Sequence, residues 1–235
     1  VIRNLSAADV TESAKTFAAA VREAQMIVIP GGFSGGDEPD GSGKFITAFF
    51  RNPLLRDKVH DLLNKRDGLM GGICNGFQAL VKLGLVPYGE IREADDCVET
   101  TLTFNDIGRH QSRLVRTRVA SNKSPWLMHT RVGDVHIAPI SHGEGKFVVS
   151  EKMARQLFEN GQVAFQYCDE DGRVSMDPED NPNGSFYAIE GIVSDNGLIL
   201  GKMGHSERKG RHLYKNIDGN KVQDIFANAV AYFGQ

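Results

Sequence analysis

Hydrophobic residues in the first part of the chain follow two alternating patterns. Helical spacing predicts helices over residues 11–24, 44–50 and 53–65, where apolar side chains recur every three or four positions. Short apolar runs at 26–30 and 69–73 predict buried strands that end beside glycine. An alternation of strand and helix is typical of a parallel sheet that is covered on both faces.

Beyond Pro87 the apolar residues are grouped into strand-like runs. The break at Asp195-Asn196-Gly197 between two such runs predicts a tight hairpin turn, and a helical pattern returns at 222–233. The strands predicted in this part are 98–104, 114–119, 135–140, 163–167 and 186–194. Since no linker or internal repeat divides the chain, we expect residues 1–235 to form one α/β domain.

Composition narrows the possible partners. The chain has 27 Lys and Arg against 30 Asp and Glu, which are interspersed and give a formal net charge of −3. Without a basic stripe, neither nucleic acid nor a membrane surface is an expected partner. Cys74, Cys97 and Cys168 are widely spaced and form no C-x-x-C pair, which argues against a disulfide framework or a metal site. We therefore expect no bound metal and a reducing, cytoplasmic location.

The segment 72–78, Gly-Ile-Cys-Asn-Gly-Phe-Gln, joins a predicted strand to an apolar-periodic segment. A cysteine at a strand-to-helix turn is pushed out of the sheet, and the helix N-terminus behind it favours the thiolate. Gly72 and Gly76 fit the crowding of such a turn, because neither carries a side chain. A lone cysteine is more often a small buried apolar residue than a nucleophile, so Cys74 needs a second signal.

That second signal lies at 204–208, Gly-His-Ser-Glu-Arg, which follows an apolar run. In an extended segment residues two apart point to the same side, so Glu207 can hold one ring nitrogen of His205 while the other faces a thiol. His142 and Glu144, in the segment 141–145 after another predicted strand, offer the same chemistry. The residues alone leave both pairs open as partners of Cys74.

Two other loops have oxygen-rich or glycine-rich sequences. The loop 35–44 lacks the glycine spacing of a phosphate-binding P-loop and the Ser or Thr that would hold magnesium, so we reject that interpretation. The segment 177–184 alternates oxygen-bearing side chains but lacks the glycine and the final glutamate of an EF-hand. A solvated turn is expected there.

Four segments carry a resemblance to a known family. They are Pro-Gly-Gly-Phe-Ser at 30–34, the segment 72–78, Ser-His-Gly-Glu-Gly-Lys-Phe at 141–147 and Gly-His-Ser-Glu-Arg at 204–208. In this order they resemble the glutaminase domain of phosphoribosylformylglycinamidine synthase, and the resemblance extends over nearly the whole chain. It implies the class I glutamine amidotransferase fold, which is flavodoxin-like, with a mainly parallel central sheet, helices on both faces and a small antiparallel sheet.

The resemblance implies that glutamine is hydrolysed to glutamate and ammonia. The ammonia serves the ATP-dependent conversion of formylglycinamide ribonucleotide to formylglycinamidine ribonucleotide in de novo purine biosynthesis. ATP and magnesium are expected in the synthetase part and no cofactor in this domain, so synthetase domains of the same or an associated chain are the expected partner. The usual first strand and helix are missing, and we expect a C-terminal part of a longer synthase chain.

The resemblance also implies a catalytic triad. Cys74 is the implied nucleophile, His205 the general acid and base, and Glu207 the carboxylate that orients the imidazole. Two other functions stay open: a cysteine hydrolase of the same turn architecture that acts on another acyl group, and a non-catalytic docking module.

Further residues are implied around the triad. The backbone N–H groups of Gly32, Phe33 and Asn75 form the implied oxyanion hole, which stabilises charge on the amide oxygen. Gln78 lies one helical turn after the cysteine, where it contacts glutamine or supports the turn. His142 is the other candidate for a contact with glutamine.

Overall fold

A computed structural model describes residue 3 and residues 5–32, 43–97 and 99–234. Its helices are α1 (Ala7–Glu23), α2 (Lys44–Phe50), α3 (Pro53–Lys65), α4 (Asn75–Leu83), α5 (Leu85–Tyr88), α6 (Glu151–Glu159) and α7 (Ile225–Tyr232). Its strands are β1 (Met26–Ile29), β2 (Leu69–Ile73), β3 (Thr100–Thr103), β4 (Gln111–Val119), β5 (Val135–His142), β6 (Lys146–Val149), β7 (Val163–Tyr167), β8 (Ile189–Val193) and β9 (Ile199–Lys202). No helix in the described ranges has the length and hydropathy needed to cross a membrane.

Seven strands form one curled mixed sheet in the order β1-β2-β9-β8-β7-β4-β5, and β3 pairs with β6 in a small antiparallel sheet. The predicted α/β class and the additional antiparallel sheet are confirmed. The parallel part is smaller than expected, because only β1, β2 and β9 run parallel among the described strands. The predicted hairpin turn at 195–197 accounts for one antiparallel pair, since it folds β9 back along β8. The pairs β4–β5, β4–β7 and β7–β8 are also antiparallel.

The sheet is covered on both faces around β2. Neighbouring residues of a strand face opposite sides of the sheet. The atoms nearest Gly71 and Gly72 therefore show what covers each face. A Cβ atom on Gly71 would lie 2.8 Å from the ring of Trp126, and one on Gly72 would lie 2.6 Å from Leu80 of α4. Trp126 in turn packs edge-on against Phe226 of α7. α4 therefore covers one face, and Trp126 with α7 covers the other.

Helix α4 forms in the interior, directly after the candidate nucleophile. Every residue from Asn75 to Leu83 is buried except Lys82, as expected of a helix that is packed on all sides. Gly84 ends the helix in the left-handed conformation, with φ of 78°, which glycine adopts at little cost. Burial of each large apolar side chain contributes about 1.5–3 kcal/mol, so packing rather than helix propensity holds α4 in place.

Most elements lie within a few residues of their predicted bounds. The predictions 44–50, 53–65, 69–73 and 163–167 coincide with α2, α3, β2 and β7. The predicted strand 186–194 starts late, because a 3-10 turn occupies Phe186–Ala188 before β8. Val98, the first residue of the predicted strand 98–104, lies outside the described residues.

The sequence patterns do not predict β6 or α6. The signal for α6 was present, since Ser150 caps the helix by accepting the N–H of Met153 at 3.2 Å. Its hydrophobic stripe is narrow, with Met153, Ala154 and Leu157 as its buried residues.

The curl of the sheet brings the edge strand β5 back to the segment that leaves β9. The N–H of His205 donates to the carbonyl oxygen of Pro139 in β5 at 2.8 Å. At the end of the same strand, the carbonyl oxygen of Ser141 lies 3.7 Å from Sγ of Cys74. Residues from opposite ends of the sheet therefore meet at one place.

Candidate active site

Cys74 lies at a sharp turn between β2 and α4, as the pattern at 72–78 predicts. Its φ of 52° and ψ of −107° are unusual for a residue with a side chain, and such strain persists only where the surroundings enforce it. The Cys74 N–H donates to the carbonyl oxygen of Lys202 at 2.8 Å, and its carbonyl oxygen accepts the N–H of Gln78 at 3.0 Å. The turn is thus fixed by β9 on one side and by α4 on the other.

Two glycines make room for this turn. A Cβ atom on Gly72 would lie 2.7 Å from the backbone carbonyl of Gly76, and one on Gly76 would overlap the carbonyl oxygen of Ile29. Any larger residue would force the backbone to move, so α4 can begin this close to β1 and β2 only with glycine at both positions. The crowding predicted for the turn is present in the structure.

The structure brings His205 and Glu207 together beside Cys74. The parallel strands β2 and β9 end at the same edge of the sheet, so the residues that follow them emerge side by side. His205 Nδ1 is hydrogen-bonded to Oε1 of Glu207 at 2.5 Å. A Cβ atom built on Gly31, after β1, would lie 2.6 Å from Cε1 of His205 and 3.3 Å from Cβ of Cys74. The imidazole and the cysteine side chain therefore both lie close to one point above Gly31.

The ring of His205 has one nitrogen that the carboxylate does not hold. Its side chain is 2% exposed, and Nε2 is buried with no hydrogen-bond partner among the described residues. Since Nδ1 is held by the carboxylate, Nε2 is the ring atom left to exchange a proton with a neighbouring group.

Glu207 remains ionised beside this imidazole. Partial burial alone would raise the pKa of the Glu207 carboxyl, but the hydrogen bond and the charge of His205 outweigh it and hold the pKa below its ordinary value. The carboxylate is therefore available at neutral pH to orient the ring and to stabilise its protonated form.

His142 is occupied elsewhere. Its Nδ1 lies 3.1 Å from Oδ1 of Asn105, and the same oxygen accepts the N–H of Gly145 at 3.0 Å. An amide oxygen only accepts, so Nδ1 of His142 donates this hydrogen bond. Burial, helped by the charges of His110 and His205, lowers the pKa of His142 to about 3. Within the described ranges, the hydrogen bond found for the His142 ring is to Asn105 and not to Glu144.

The buried neutral His142 makes stability depend on pH. Below pH 6.5 the unfolded chain binds a proton at this ring, whereas the folded chain binds it only near a pKa of about 3. Stability therefore falls as the pH drops through 6.5, with a slope of up to about 1.4 kcal/mol per pH unit from this group. Urea unfolding at pH 5, 6 and 7 measures this slope. His142→Gln is expected to reduce this slope, and the exposed control His212→Gln is expected to retain it. Equal slopes in the wild type and both variants would contradict a neutral His142 in the folded protein.

Gln78 supports the loop that follows β5. Its side chain is 4% exposed, and Nε2 donates to the carbonyl oxygen of Glu144 at 2.6 Å. Helix α4, which begins directly after Cys74, is thereby bound to residues 141–145. This contact favours the supporting role over a contact with glutamine, although both remain predictions.

Two buried asparagines that the sequence analysis missed also hold this loop. Asn105 donates from Nδ2 to the carbonyl oxygen of His142 at 2.8 Å, and Asn183 donates to that of Gly145 at 2.5 Å. Asn183 is fully buried, so the expectation of a solvated turn over 177–184 is correct only for its first residues. Asn181 and Asn183 turn inward because their amides satisfy buried backbone groups.

The backbone groups implied as an oxyanion hole lie near Cys74 where they are described. Asn75 is the first residue of α4, where backbone N–H groups have no partner within the helix. Gly32 follows β1 with φ of 139°, and no atom of the described residues, apart from its chain neighbours, lies within 4 Å of the position that its side chain would take. Phe33 lies outside the described residues.

The sequence matches the CobB/CobQ-like glutamine amidotransferase domain over residues 2–233. The phosphoribosylformylglycinamidine synthase subunit PurQ of Methanococcus maripaludis strain C7 is 35% identical over 236 aligned residues, covering 90% of this chain and 81% of the relative. The subunit of the same name from Gloeobacter violaceus is 36% identical, with coverage of 88% and 81%.

Two solved structures have a similar fold. A chain in the structure of PurLQS from Thermotoga maritima superposes with a TM-score of 0.64 at 25% identity, covering 90% of this chain and 81% of that chain. The glutaminase domain of Trypanosoma brucei CTPS with bound acivicin shares the fold, with a TM-score of 0.50 at 12% identity and coverage of 93% and 76%. The chain therefore belongs to the CobB/CobQ-like glutamine amidotransferase family, in the branch of the phosphoribosylformylglycinamidine synthase subunits PurQ.

Proposed function

We propose that this chain hydrolyses glutamine through a triad of Cys74, His205 and Glu207 and supplies the ammonia to a synthetase partner. Family membership supports glutamine hydrolysis for the synthesis of formylglycinamidine ribonucleotide. The observation that supports the triad is that the Cys74 side chain and a carboxylate-held imidazole lie close to one point above Gly31. ATP and magnesium would act in the synthetase part, as the family resemblance implies.

The first half-reaction forms a thioester. The thiolate of Cys74 attacks the side-chain amide carbon of glutamine, and the carbon–nitrogen bond breaks as the nitrogen takes a proton from Nε2 of His205. The products are ammonia and a γ-glutamyl thioester on Cys74. Because Nδ1 is held by Glu207, the imidazolium formed when the thiol loses its proton is stabilised where it is needed.

The second half-reaction releases glutamate. Neutral His205 takes a proton from water at Nε2, and the water oxygen attacks the thioester carbon. The carbon–sulfur bond breaks, so that glutamate leaves and the Cys74 thiolate is restored beside the imidazolium. The same base thus serves both steps with no change in the position of Glu207.

Charge on the amide oxygen requires donors that are already in place. The N–H groups of Asn75 and of the glycine loop at Gly32 and Phe33 are proposed for this role. Removal of one such donor typically lowers the rate by about 10²–10³-fold. Residues 141–145 are proposed to contact the bound glutamine, because the Ser141 carbonyl oxygen lies 3.7 Å from Sγ of Cys74.

The triad is tested by the reactivity of the three cysteines. A glutamine-mimicking chloroketone is expected to label Cys74 at least about 10²-fold faster than Cys97 or Cys168 at pH 7.5, because only Cys74 lies beside a base. Burial raises the pKa of the Cys97 thiol and raises that of Cys168 to about 11, so both serve as internal controls. Mass spectrometry of peptides after timed exposure gives the three rates. Equal rates would remove the proposed nucleophile.

The same experiment separates the alternatives. A cysteine hydrolase of another acyl group would show a reactive Cys74 that prefers peptide or ester substrates over glutamine. A docking module would show no enhanced reactivity at Cys74. Glutamate release, measured with glutamine, peptide and ester substrates in parallel, completes the distinction.

A further inference from the structure

The segment that carries His205 away from β9 is held by a buried ion pair. Nζ of Lys202, the last residue of β9, lies 3.1 Å from Oε1 of Glu190 in β8, and neither side chain is exposed. Oε1 of Glu190 accepts the N–H of Gly204 at 2.5 Å, and Nζ of Lys202 donates to the carbonyl oxygen of Gly204 at 2.8 Å. The pair therefore binds both backbone polar groups of the residue that precedes His205.

The backbone beyond β9 takes its hydrogen bonds from several parts of the fold. β9 ends at Lys202, and Met203, Gly204 and His205 are buried beyond it, so their polar groups need partners elsewhere. The N–H of Met203 donates to the carbonyl oxygen of Glu190 at 3.1 Å, and that of His205 donates to Pro139 at 2.8 Å. With the ion pair added, the backbone is fixed up to the catalytic imidazole.

The contact between the pair and the backbone is tight. A Cβ atom on Gly204 would lie 2.8 Å from Oε1 of Glu190 and 3.1 Å from Nζ of Lys202. Any other residue at 204 would push the two side chains or the chain itself aside. The pair and the glycine therefore form one arrangement, directly before His205.

Stability alone does not account for this pair. The cost of removing two charges from water offsets most of their attraction, and apolar replacement of buried pairs often leaves stability unchanged or raises it. Hydrogen bonds from charged groups to the backbone are, however, short and directional, which suits them to fix a position.

We propose that Glu190 and Lys202 are positioning residues, which hold the imidazole of His205 in line with Cys74. This inference rests on the proposed role of His205 as the base. Both side chains are fully buried, so their effect is expected on the rate of the chemical steps and not on substrate binding. A displacement of a catalytic group by about 1 Å is enough to lower the rate about 10²-fold.

The test compares two double variants of similar volume in the complete synthase. Glu190→Leu with Lys202→Met removes both contacts to Gly204 and is expected to lower kcat for glutamine about 10²-fold, with KM within about twofold. Glu190→Gln with Lys202→Met keeps an acceptor for the Gly204 N–H. Its kcat for glutamine is expected to lie between that of the first double variant and that of the wild type. The conservative variant also keeps the test valid if the first one folds poorly.

A matched control lies at the far end of the same sheet. Gln162 is buried and donates to the carbonyl oxygens of Pro87 and Val193, away from Cys74. Gln162→Met is expected to lower the unfolding temperature and to leave kcat unchanged. The rate of Cys74 labelling by the chloroketone should fall in the Glu190 and Lys202 variants and not in this control.

The outcomes separate this inference from the proposed function. Folded double variants with kcat and Cys74 labelling within twofold of the wild type would overturn the positioning role, as would a loss that merely follows the fraction of unfolded protein. An increase in KM at constant kcat would also overturn it. If His205→Ala retains full glutaminase activity, the proposed triad fails first and this inference fails with it.

Discussion

Glutamine-dependent synthesis falls by about 10⁴-fold or more in Cys74→Ser, while synthesis from added ammonia continues at the wild-type rate. Serine fits the turn at 74, but its hydroxyl is a far weaker acid than a thiol and gives His205 little nucleophile to activate. The synthetase part is untouched, so ammonia supplied from solution bypasses the defect. The measurement is product formation by the complete synthase with glutamine or ammonium as the nitrogen source.

Cys97→Ser is the control for this prediction. Cys97 is 8% exposed and its Sγ donates to the carbonyl oxygen of Glu93 at 3.4 Å, a bond that serine can replace. The rates of synthesis from glutamine and from ammonia are both expected to match those of the wild type per folded molecule. Loss of both reactions in Cys74→Ser would show that the residue does more than supply ammonia, and retained use of glutamine would exclude it as the nucleophile.

Gly31→Ala is expected to lower kcat for glutamine by about 10²-fold with little effect on folding. The added methyl group would lie 2.6 Å from Cε1 of His205 and 3.3 Å from Cβ of Cys74, so the imidazole has to move away from the sulfur. Glutamine hydrolysis and Cys74 labelling should decline together, because in the proposed mechanism both depend on the position of the ring relative to the thiol. Thermal unfolding reports whether the fold is retained.

Gly210→Ala is the matched glycine variant for this second prediction. Its nearest neighbour would be Leu213 at 3.5 Å, an ordinary contact at an exposed position. No change in kcat is expected there. A Gly31→Ala protein with wild-type kcat would show that the imidazole does not work in the position where the structure places it.

The parts of the fold that follow local rules were predictable. β2 and α2 coincide with apolar runs of the right period, and the turn at 195–197 has residues that favour a hairpin. The turn at Cys74 was also predictable, since the glycines on both sides meet a steric demand that any strand-to-helix turn of this kind imposes.

The antiparallel part of the sheet was not predictable in the same way. The periodicity of a strand reports its burial but not its neighbour, so nothing local places β5 beside the segment that leaves β9. Asn105 and Asn183 were missed for the same reason. Each satisfies backbone groups that lie 37 or 38 positions away along the chain, and an isolated asparagine carries no sign of such a partner.

The separation of the site along the chain has a consequence during synthesis of the protein. The ribosome synthesises Cys74 long before it adds His205. Strand β5, whose Pro139 accepts the backbone N–H of that histidine, lies between the two residues in the sequence. A nascent chain therefore has no base beside its cysteine, and the sulfur behaves as an ordinary thiol until the last strand is in place. With the proposed triad, an unfinished molecule lacks the base that glutamine hydrolysis requires.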